Sequence, residues 1–599
     1  MALEKSTELD FDPDALRAKY RVERDKRIRA DGNDQYQEVI GDFTRYVDDP
    51  YVEETLVRQP LQDAVDVVIV GGGFGGLLVG ARLREAGVQR IRIIEKGGDF
   101  GGTWYWNRYP GAACDVESYI YLPLCEELNF VPKEKYTHAP EILAHSHNIG
   151  KRYDLYRDAC FQTEVTEVQW QATESQWTVS TNRGDKIRAD FVVMSNGPLN
   201  RPKLPGIPGI NDYLGHTFHT SRWDYDYTGG GPQGDLTKLA NKRVGIIGTG
   251  ATAVQCVPHL GAAAKELFVF QRTPSSIDVR NNRPTDLEWA ASLEPGWQKA
   301  RMENFNTLTS GGIVEEDLIQ DGWTEIIRNL ISMANYRGTG IDRKEVPKLM
   351  ELADFQKMEQ IRARADAVVN DPTTAEALKP YYRQFCKRPC FHDEYLPTFN
   401  RSNVHLIDTQ GKGIDRLTQN GIVANDQEYE LDCIIFATGF EVGTNYTRRA
   451  GYDVIGKQGL KLSEKWANGL RTLHGLHTRG FPNLFIIGSA QGGFTTNFPH
   501  AMDESAKHIG YVINQCSAGN IKAVEPSQEA EDAWVDEIIS LARISESFLA
   551  ECTPGYYNNE GDPSPQSAQN SAYGKGPNAF FAKMQAWRDD GEMQGLEII

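Results

Sequence analysis

No two of the chain's nine cysteines stand in C-x-x-C spacing, and they are scattered through 599 residues. The closely spaced redox pair of a flavin disulfide reductase is therefore absent, and scattered thiols fit a reduced state better than a disulfide framework. Long apolar runs are missing too: none nears the roughly eighteen residues of a membrane span. The first residues, Met1-Ala2-Leu3-Glu4-Lys5-Ser6, lack the character of a signal peptide. Positive charge is outweighed, at a formal net charge of −19. A general nucleic-acid binder needs a basic face to neutralise phosphates, so that class is excluded. What remains is a cytoplasmic protein of ordinary globular composition, 40% hydrophobic and 25% charged, with no metal site expected. Its length asks for two or three domains.

What is present begins at Val65. The run Val65-Asp66-Val67-Val68-Ile69-Val70 reads as a strand and passes straight into Gly71-Gly72-Gly73-Phe74-Gly75-Gly76. Gly71, Gly73 and Gly76 have the G-x-G-x-x-G spacing between a strand and a helical pattern, and Glu95 caps the next strand about twenty residues on. The first glycine allows the tight turn, the second a close approach to a pyrophosphate, and the third helix-on-strand packing. The helix N-terminus favours the anion, and Glu95 can take a ribose 2′-hydroxyl. A dinucleotide is expected here. The segment Gly101 to Gly111 then sets Thr103, Trp104, Tyr105, Trp106 and Tyr109 among Gly and Pro and leads to Cys114-Asp115. Without a regular period, these aromatics suit the face of a flat ligand such as an isoalloxazine better than a helix or strand.

A second unit starts at Arg243. Val244 to Ile247 is the strand, and Gly248-Thr249-Gly250-Ala251-Thr252-Ala253 gives G-x-G-x-x-A on entry to a helix. Its next strand, Leu267 to Phe270, ends at Gln271-Arg272 and not at a carboxylate. A guanidinium pairs with a 2′-phosphate where a carboxylate repels it, so NADP(H) is expected.

Around these units, Asp14 to Ala30 reads as one basic helix docked on the acidic body. From about 277 to 382 helical periodicity takes over, as in Trp323 to Asn335 and Lys348 to Val368, a plausible wall for a substrate cleft. Cys433-Ile434-Ile435-Phe436 and Leu484 to Ile487 then read as strands that end in glycine turns, the second at Gly488. The expected fold class is α/β, with two Rossmann-like dinucleotide-binding domains, the second inserted in the first, and a helical insertion. The expected boundaries are 1–64 for an N-terminal extension, 65–200 and 433–599 for the first domain with a C-terminal segment, 201–275 and 384–432 for the second, and 276–383 for the insertion. Two such folds suit two dinucleotides that exchange electrons across one cleft.

Between the glycine motifs lies Tyr213-x-Gly215-x-x-x-His219-x-x-x-Trp223-Asp224. It resembles the fingerprint F-x-G-x-x-x-H-x-x-x-W, followed by P or D, of type I Baeyer–Villiger monooxygenases, with Tyr for the leading Phe. The resemblance covers about residues 60 to 500. It implies FAD in the first fold and NADPH in the second. The chemistry that the resemblance implies is that of the family: NADPH reduces the flavin, O2 adds at its C4a position, and the resulting peroxide anion attacks a ketone to give an ester or lactone. Arg388 matches the family's catalytic arginine, and its permanent charge suits an anionic peroxide and alkoxide. Asp115 matches the arginine's acidic partner and also a cofactor contact. Lys387 and Arg272 match the 2′-phosphate contacts. Gly215, His219, Trp223 and Asp224 match fingerprint positions, for which a conformational role is expected.

Two features depart from the commoner pattern. Ala113 stands where many members have Arg, and Ser547-Phe548-Leu549 stands where small-cycloalkanone enzymes carry a Trp-containing loop. The N-terminal extension and the segment 551–561 resemble the subgroup that takes large cyclic, polycyclic or steroid-like ketones. Two rival readings remain open at this level: a flavin monooxygenase of sulfides or amines, in which Trp223 would have no counterpart, and a two-nucleotide sensor or oxidase that leaves Asp115 with Lys387-Arg388 unexplained. The oligomeric state is not legible.

Overall fold

The computed structural model describes residues 10–325, 328–329, 346–543 and 546–599. Strand Gln62–Val70 has its last four residues buried, as a parallel strand covered on both faces requires. Its alternate side chains enter two cores: Val67 and Ile69 pack with Leu77, Leu78 and Ile509, while Val68 and Val70 pack with Trp177, Val179 and Val454. It is central to an eight-stranded sheet. On one side it pairs in parallel with Ile91–Ile94, and that strand with Ala159–Cys160. On the other it pairs with Lys186–Met194, which carries the antiparallel hairpin Val165–Gln171 and Gln176–Thr181 and also pairs with Leu484–Ile486. The chain thus returns to this sheet after the second unit, as the sequence pattern implies. Helices Phe74–Glu85 and Phe498–Ala518 pack against each other on the first core.

The second sheet is all parallel, in the order Val404–Asp408, Glu266–Gln271, Arg243–Ile247, Cys433–Phe436, His216–His219. The sequence boundary at 433 is corrected here, because Cys433–Phe436 pairs with Arg243–Ile247 and belongs to this sheet. A short, fully buried apolar strand reads the same in either parallel sheet, so its composition cannot assign it.

The N-terminal helix runs Pro13–Asp25, capped by the Asp12 side chain, and is shorter than the sequence periodicity implies. It ends where Arg27 turns inward, its Nε donating to the Arg272 carbonyl and to Thr273 Oγ1 at 3.1 Å each. The helix docks as expected: Tyr20 packs edge-on to Phe355, and Arg17 pairs with Glu351 at 2.6 Å. Both partners lie on helix Val346–Val368, which matches the pattern in Lys348 to Val368. Much of the other expected insertion helix, Trp323 to Asn335, lies outside the described residues. Tyr46 of the extension buries itself against Phe436, and its hydroxyl lies 2.8 Å from Thr217 Oγ1.

The expectation of reduced thiols is corrected at one pair. Cys386 and Cys552 form a disulfide across 166 residues of sequence, while the other seven cysteines are free and buried. Such a separation leaves no local spacing to read.

Candidate active site

Two glycine turns of matching geometry frame the site. Gly71 has φ +110° and Gly248 +112°, and a Cβ on either would lie within 2.5 Å of a carbonyl oxygen, that of Ser195 or of Ala437. Only glycine fits such a turn. Helices Phe74–Glu85 and Ala251–Ala263 start at Gly73 and Gly250, and neither start is capped by a side chain. Their first N–H groups are therefore available to an anion. Space around Gly250 is open to 4 Å, and the same holds at Gly488, just beyond strand Leu484–Ile486. Gly76 lies so close to the Gly71 carbonyl that a Cβ would sit 1.9 Å from it, and Ala253 is buried on the second helix. Both cradles fit a dinucleotide pyrophosphate.

Glu95 is buried beside the first loop. Its Oε2 accepts from the Gly72 N–H at 2.6 Å and its Oε1 from the Gly97 N–H at 2.7 Å, which leaves lone pairs for a ribose hydroxyl. Burial outweighs these bonds and pushes its carboxyl above the usual range. The aromatic segment contains a helical turn, Thr103–Trp106, so the expectation of an irregular ligand face is corrected in part. Trp104 Nε1 donates to the Tyr121 hydroxyl at 3.1 Å. Trp106 lies under the Arg222 guanidinium, 3.8 Å from its ring centroid, and Tyr105 lies under Arg108 at 4.4 Å. Cation–π packing absorbs these rings.

The segment ends at Asp115, where the two units meet. Asp115 is 4% exposed. Its Oδ2 accepts from Arg388 Nη1 at 2.6 Å, and its Oδ1 pairs with Arg280 Nη2. Burial alone would push this carboxyl up, but Arg280 and then Arg388 outweigh it and hold it below the usual carboxylate range. Arg388 keeps 39% of its side chain exposed, so its outer face stays open. Trp323 Nε1 donates to the Asp115 carbonyl at 2.8 Å. Gln255, from the helix of the second glycine motif, donates to the Ala113 carbonyl at 3.0 Å and accepts from the Tyr109 hydroxyl at 2.9 Å. One carboxylate between two guanidiniums leaves a net positive charge on the cluster. Arg280, Gln255 and Trp323 are not evident from sequence. Arg280 sits in an Arg-Asn-Asn-Arg loop with no motif, although Gln255 shares its helix with Ala253.

Arg272, Lys387 and Lys203 gather near the end of strand Glu266–Gln271. Arg272 Nη1 donates to Gln35 Oε1 at 2.6 Å, and Lys387 Nζ donates to the Pro554 carbonyl at 3.5 Å. Burial pushes Lys387 down to about 8. Lys203 pairs with Glu560 of the C-terminal segment at 3.2 Å. Thr249 points elsewhere, donating to the Thr273 carbonyl at 2.7 Å.

The fingerprint residues do not bond to the Asp115 cluster. His219 Nδ1 lies 2.8 Å from Ser221 Oγ, and burial pushes its imidazole down to about 3. Trp223 Nε1 donates to Thr228 Oγ1 at 3.1 Å, and Asp224 caps the turn Tyr225–Thr228. A Cβ at Gly215 would meet the Tyr213 ring, whose hydroxyl donates to the Leu431 carbonyl at 2.8 Å. These residues shape the edge strand His216–His219 of the second sheet and the connection that follows it.

The family model described as pyridine nucleotide-disulphide oxidoreductase matches residues 68–288. The chain is 56% identical to the pentalenolactone D synthase of Streptomyces exfoliatus, over 97% of this chain and 100% of the relative. It is 49% identical to a Baeyer–Villiger monooxygenase of Stachybotrys chlorohalonatus, over 99% and 95%. Among solved structures, the polycyclic ketone monooxygenase of Thermothelomyces thermophila superposes with a TM-score of 0.89 at 37% identity, over 98% of this chain and 99% of that one.

Proposed function

Because the chain belongs to the FAD- and NADP-dependent Baeyer–Villiger monooxygenases, we propose that Arg388 and Asp115 are the catalytic pair with which it inserts an oxygen atom beside the carbonyl of a bulky, polycyclic ketone. FAD and NADPH supply the reducing equivalents and the site of O2 activation. The protein's own residues supply charge, geometry and dryness. Arg388 presents a permanent cation to the carbonyl oxygen as negative charge develops on it. Asp115 fixes the direction of that guanidinium, and Arg280 keeps Asp115 ionised without consuming the charge of Arg388. The observation that carries this reading is the ion pair between Asp115 of the first unit and Arg388 of the second.

The substrate class rests on what borders Arg388. Tyr556 and Tyr557 form a tilted pair with centroids 4.3 Å apart, both partly exposed, and the field of Tyr556 reaches Arg388. Aromatic faces of this size offer contact to a fused ring system. The roles of Gly71, Gly73, Gly76, Glu95, Thr103, Trp104 and Gly488 toward FAD, and of Gly248, Thr249, Gly250, Ala253, Arg272 and Lys387 toward NADPH, belong to the same proposal. So does a cytoplasmic setting, where NADPH is supplied. Initial rates with a tricyclic ketone and with cyclohexanone test the substrate class. The tricyclic ketone should have the higher kcat/KM by at least about tenfold, and a preference for cyclohexanone would overturn it.

A further inference from the structure

The segment after Cys552 ends in a buried carboxylate set among cations. Glu560 is 4% exposed. Its Oε1 lies 3.2 Å from Lys203 Nζ, and its Oε2 lies 3.6 Å from Arg272 Nη2 with no hydrogen bond of its own. Lys203 is itself buried, its Nζ 3.7 Å from the centroid of the Tyr36 ring. The charge of Glu560 also acts on Lys387. Three cations thus act on one carboxylate, an excess of positive charge in which Glu560 and Lys203 are buried. A phosphate monoester, with about −1.5 to −2 charge and three acceptor oxygens, matches that set better than one carboxylate does.

The backbone holds Glu560 in this place under strain. Asn559 and Glu560 both lie in the left-handed region, at φ +51° and +59°, which is unfavourable for side chains with a Cβ. The Asn558 side chain staples the turn: its Oδ1 accepts from the Gly555 N–H at 3.0 Å and the Gly561 N–H at 3.2 Å. Its Nδ2 donates to the Leu549 and Cys552 carbonyls, each at 3.1 Å. The Cys386–Cys552 disulfide ties the base of the segment to the residue before Lys387.

We infer that Glu560 is a specificity-determining residue whose carboxylate occupies the seat of the NADP(H) 2′-phosphate, with Lys203 as the third cation of that seat. A dinucleotide must bring its own anion to displace Glu560. NADP(H) does so, and NAD(H), with a hydroxyl there, does not. The inference rests on the proposed role of Arg272 and Lys387 as 2′-phosphate contacts.

Calorimetric titration of the full-length, FAD-loaded, oxidised protein with NADP+ and with NAD+ tests it without turnover. Glu560→Gln should bind NADP+ about tenfold more tightly and leave NAD+ within about twofold of wild type. Lys203→Met should weaken NADP+ at least about fivefold and spare NAD+. Unchanged or weaker NADP+ binding by E560Q overturns the inference, as does equal weakening of both nucleotides by K203M. Flavin content reports folding. If E560Q fails to hold flavin, Glu560→Asp, which keeps the charge but shortens the reach, should still tighten NADP+, and no change in that variant counts against the inference. Arg272→Ala separates the two levels. A wild-type preference for NADP+ in R272A overturns the placement of the 2′-phosphate and the inference with it. Loss of preference in R272A beside an unmoved E560Q overturns the inference alone.

Discussion

Asp115 and Arg388 stand 273 residues apart in sequence and meet through a 2.6 Å ion pair where the two units join. The pair depends on a third residue, because the second oxygen of Asp115 is taken by Arg280. Neither guanidinium is fully compensated by the shared carboxylate. The cluster therefore keeps a positive field, as the proposed role of Arg388 toward a developing anion requires.

Arg280→Met should lower ester formation about tenfold to hundredfold and leave the rate of NADPH oxidation by the enzyme-bound flavin near wild type. With Arg280 gone, Asp115 pairs with Arg388 alone and neutralises more of its charge. Single-turnover rates for the two half-reactions check this, and equal slowing of both would contradict the positioning role.

Affinity for NADP+ should fall as pH rises past about 8, the value to which burial pushes Lys387. The sign follows from a cation that binds an anion: the protonated form attracts the 2′-phosphate, and raising the pH through its pKa removes that charge. Lys387→Met should flatten the profile at an overall lower affinity. Titration across pH 7 to 9.5 checks it, and an unchanged profile in the variant would assign the titration elsewhere.

The fold should be acid-labile. His474 and His477 are buried, and burial pushes each down to about 3; His508, beside them, lies well below its ordinary value. In the unfolded chain these imidazoles titrate near 6.5, so that state binds more protons below that pH. The stability they contribute is complete above about pH 6.5 and declines as pH falls toward 3, by up to about 1.4 kcal/mol per pH unit for each histidine. His508→Leu should flatten the slope of unfolding free energy between pH 6.5 and 5 by about that amount. An unaltered slope would show that His508 is not the group protonated on unfolding.

Legibility in the sequence followed the range of the interactions. Gly71, Gly73, Gly76, Gly248 and Gly250 declare themselves because a tight turn and a bare helix start are written in consecutive residues. Leu484–Ile486 and Cys433–Phe436 are both legible as strands because a glycine turn follows each. Cys433–Phe436 joins the second sheet, and four buried apolar residues carry no mark of which sheet they join. Arg280 and the Cys386–Cys552 disulfide depend on contacts over 165 and 166 residues, which no local pattern encodes. A dense aromatic segment reads the same whether its rings cover a cofactor or stack on arginines, so the contacts of Trp106 with Arg222 and of Tyr105 with Arg108 are not legible in it. Arg388 and Asp115 were identified through a family resemblance, since Lys-Arg before Pro and Asp after Cys carry no chemistry on their own.

The central claim is that Arg388, oriented by Asp115, is required for oxygen insertion and not for the consumption of NADPH. Arg388→Ala, incubated with NADPH, O2 and a tricyclic ketone, is the direct measurement, with NADPH, hydrogen peroxide and ester quantified together. The expected result is continued NADPH oxidation, hydrogen peroxide in near-stoichiometric amount, and ester reduced by about a thousandfold or more. Ester formed at the wild-type rate by the Arg388→Ala protein would contradict the account.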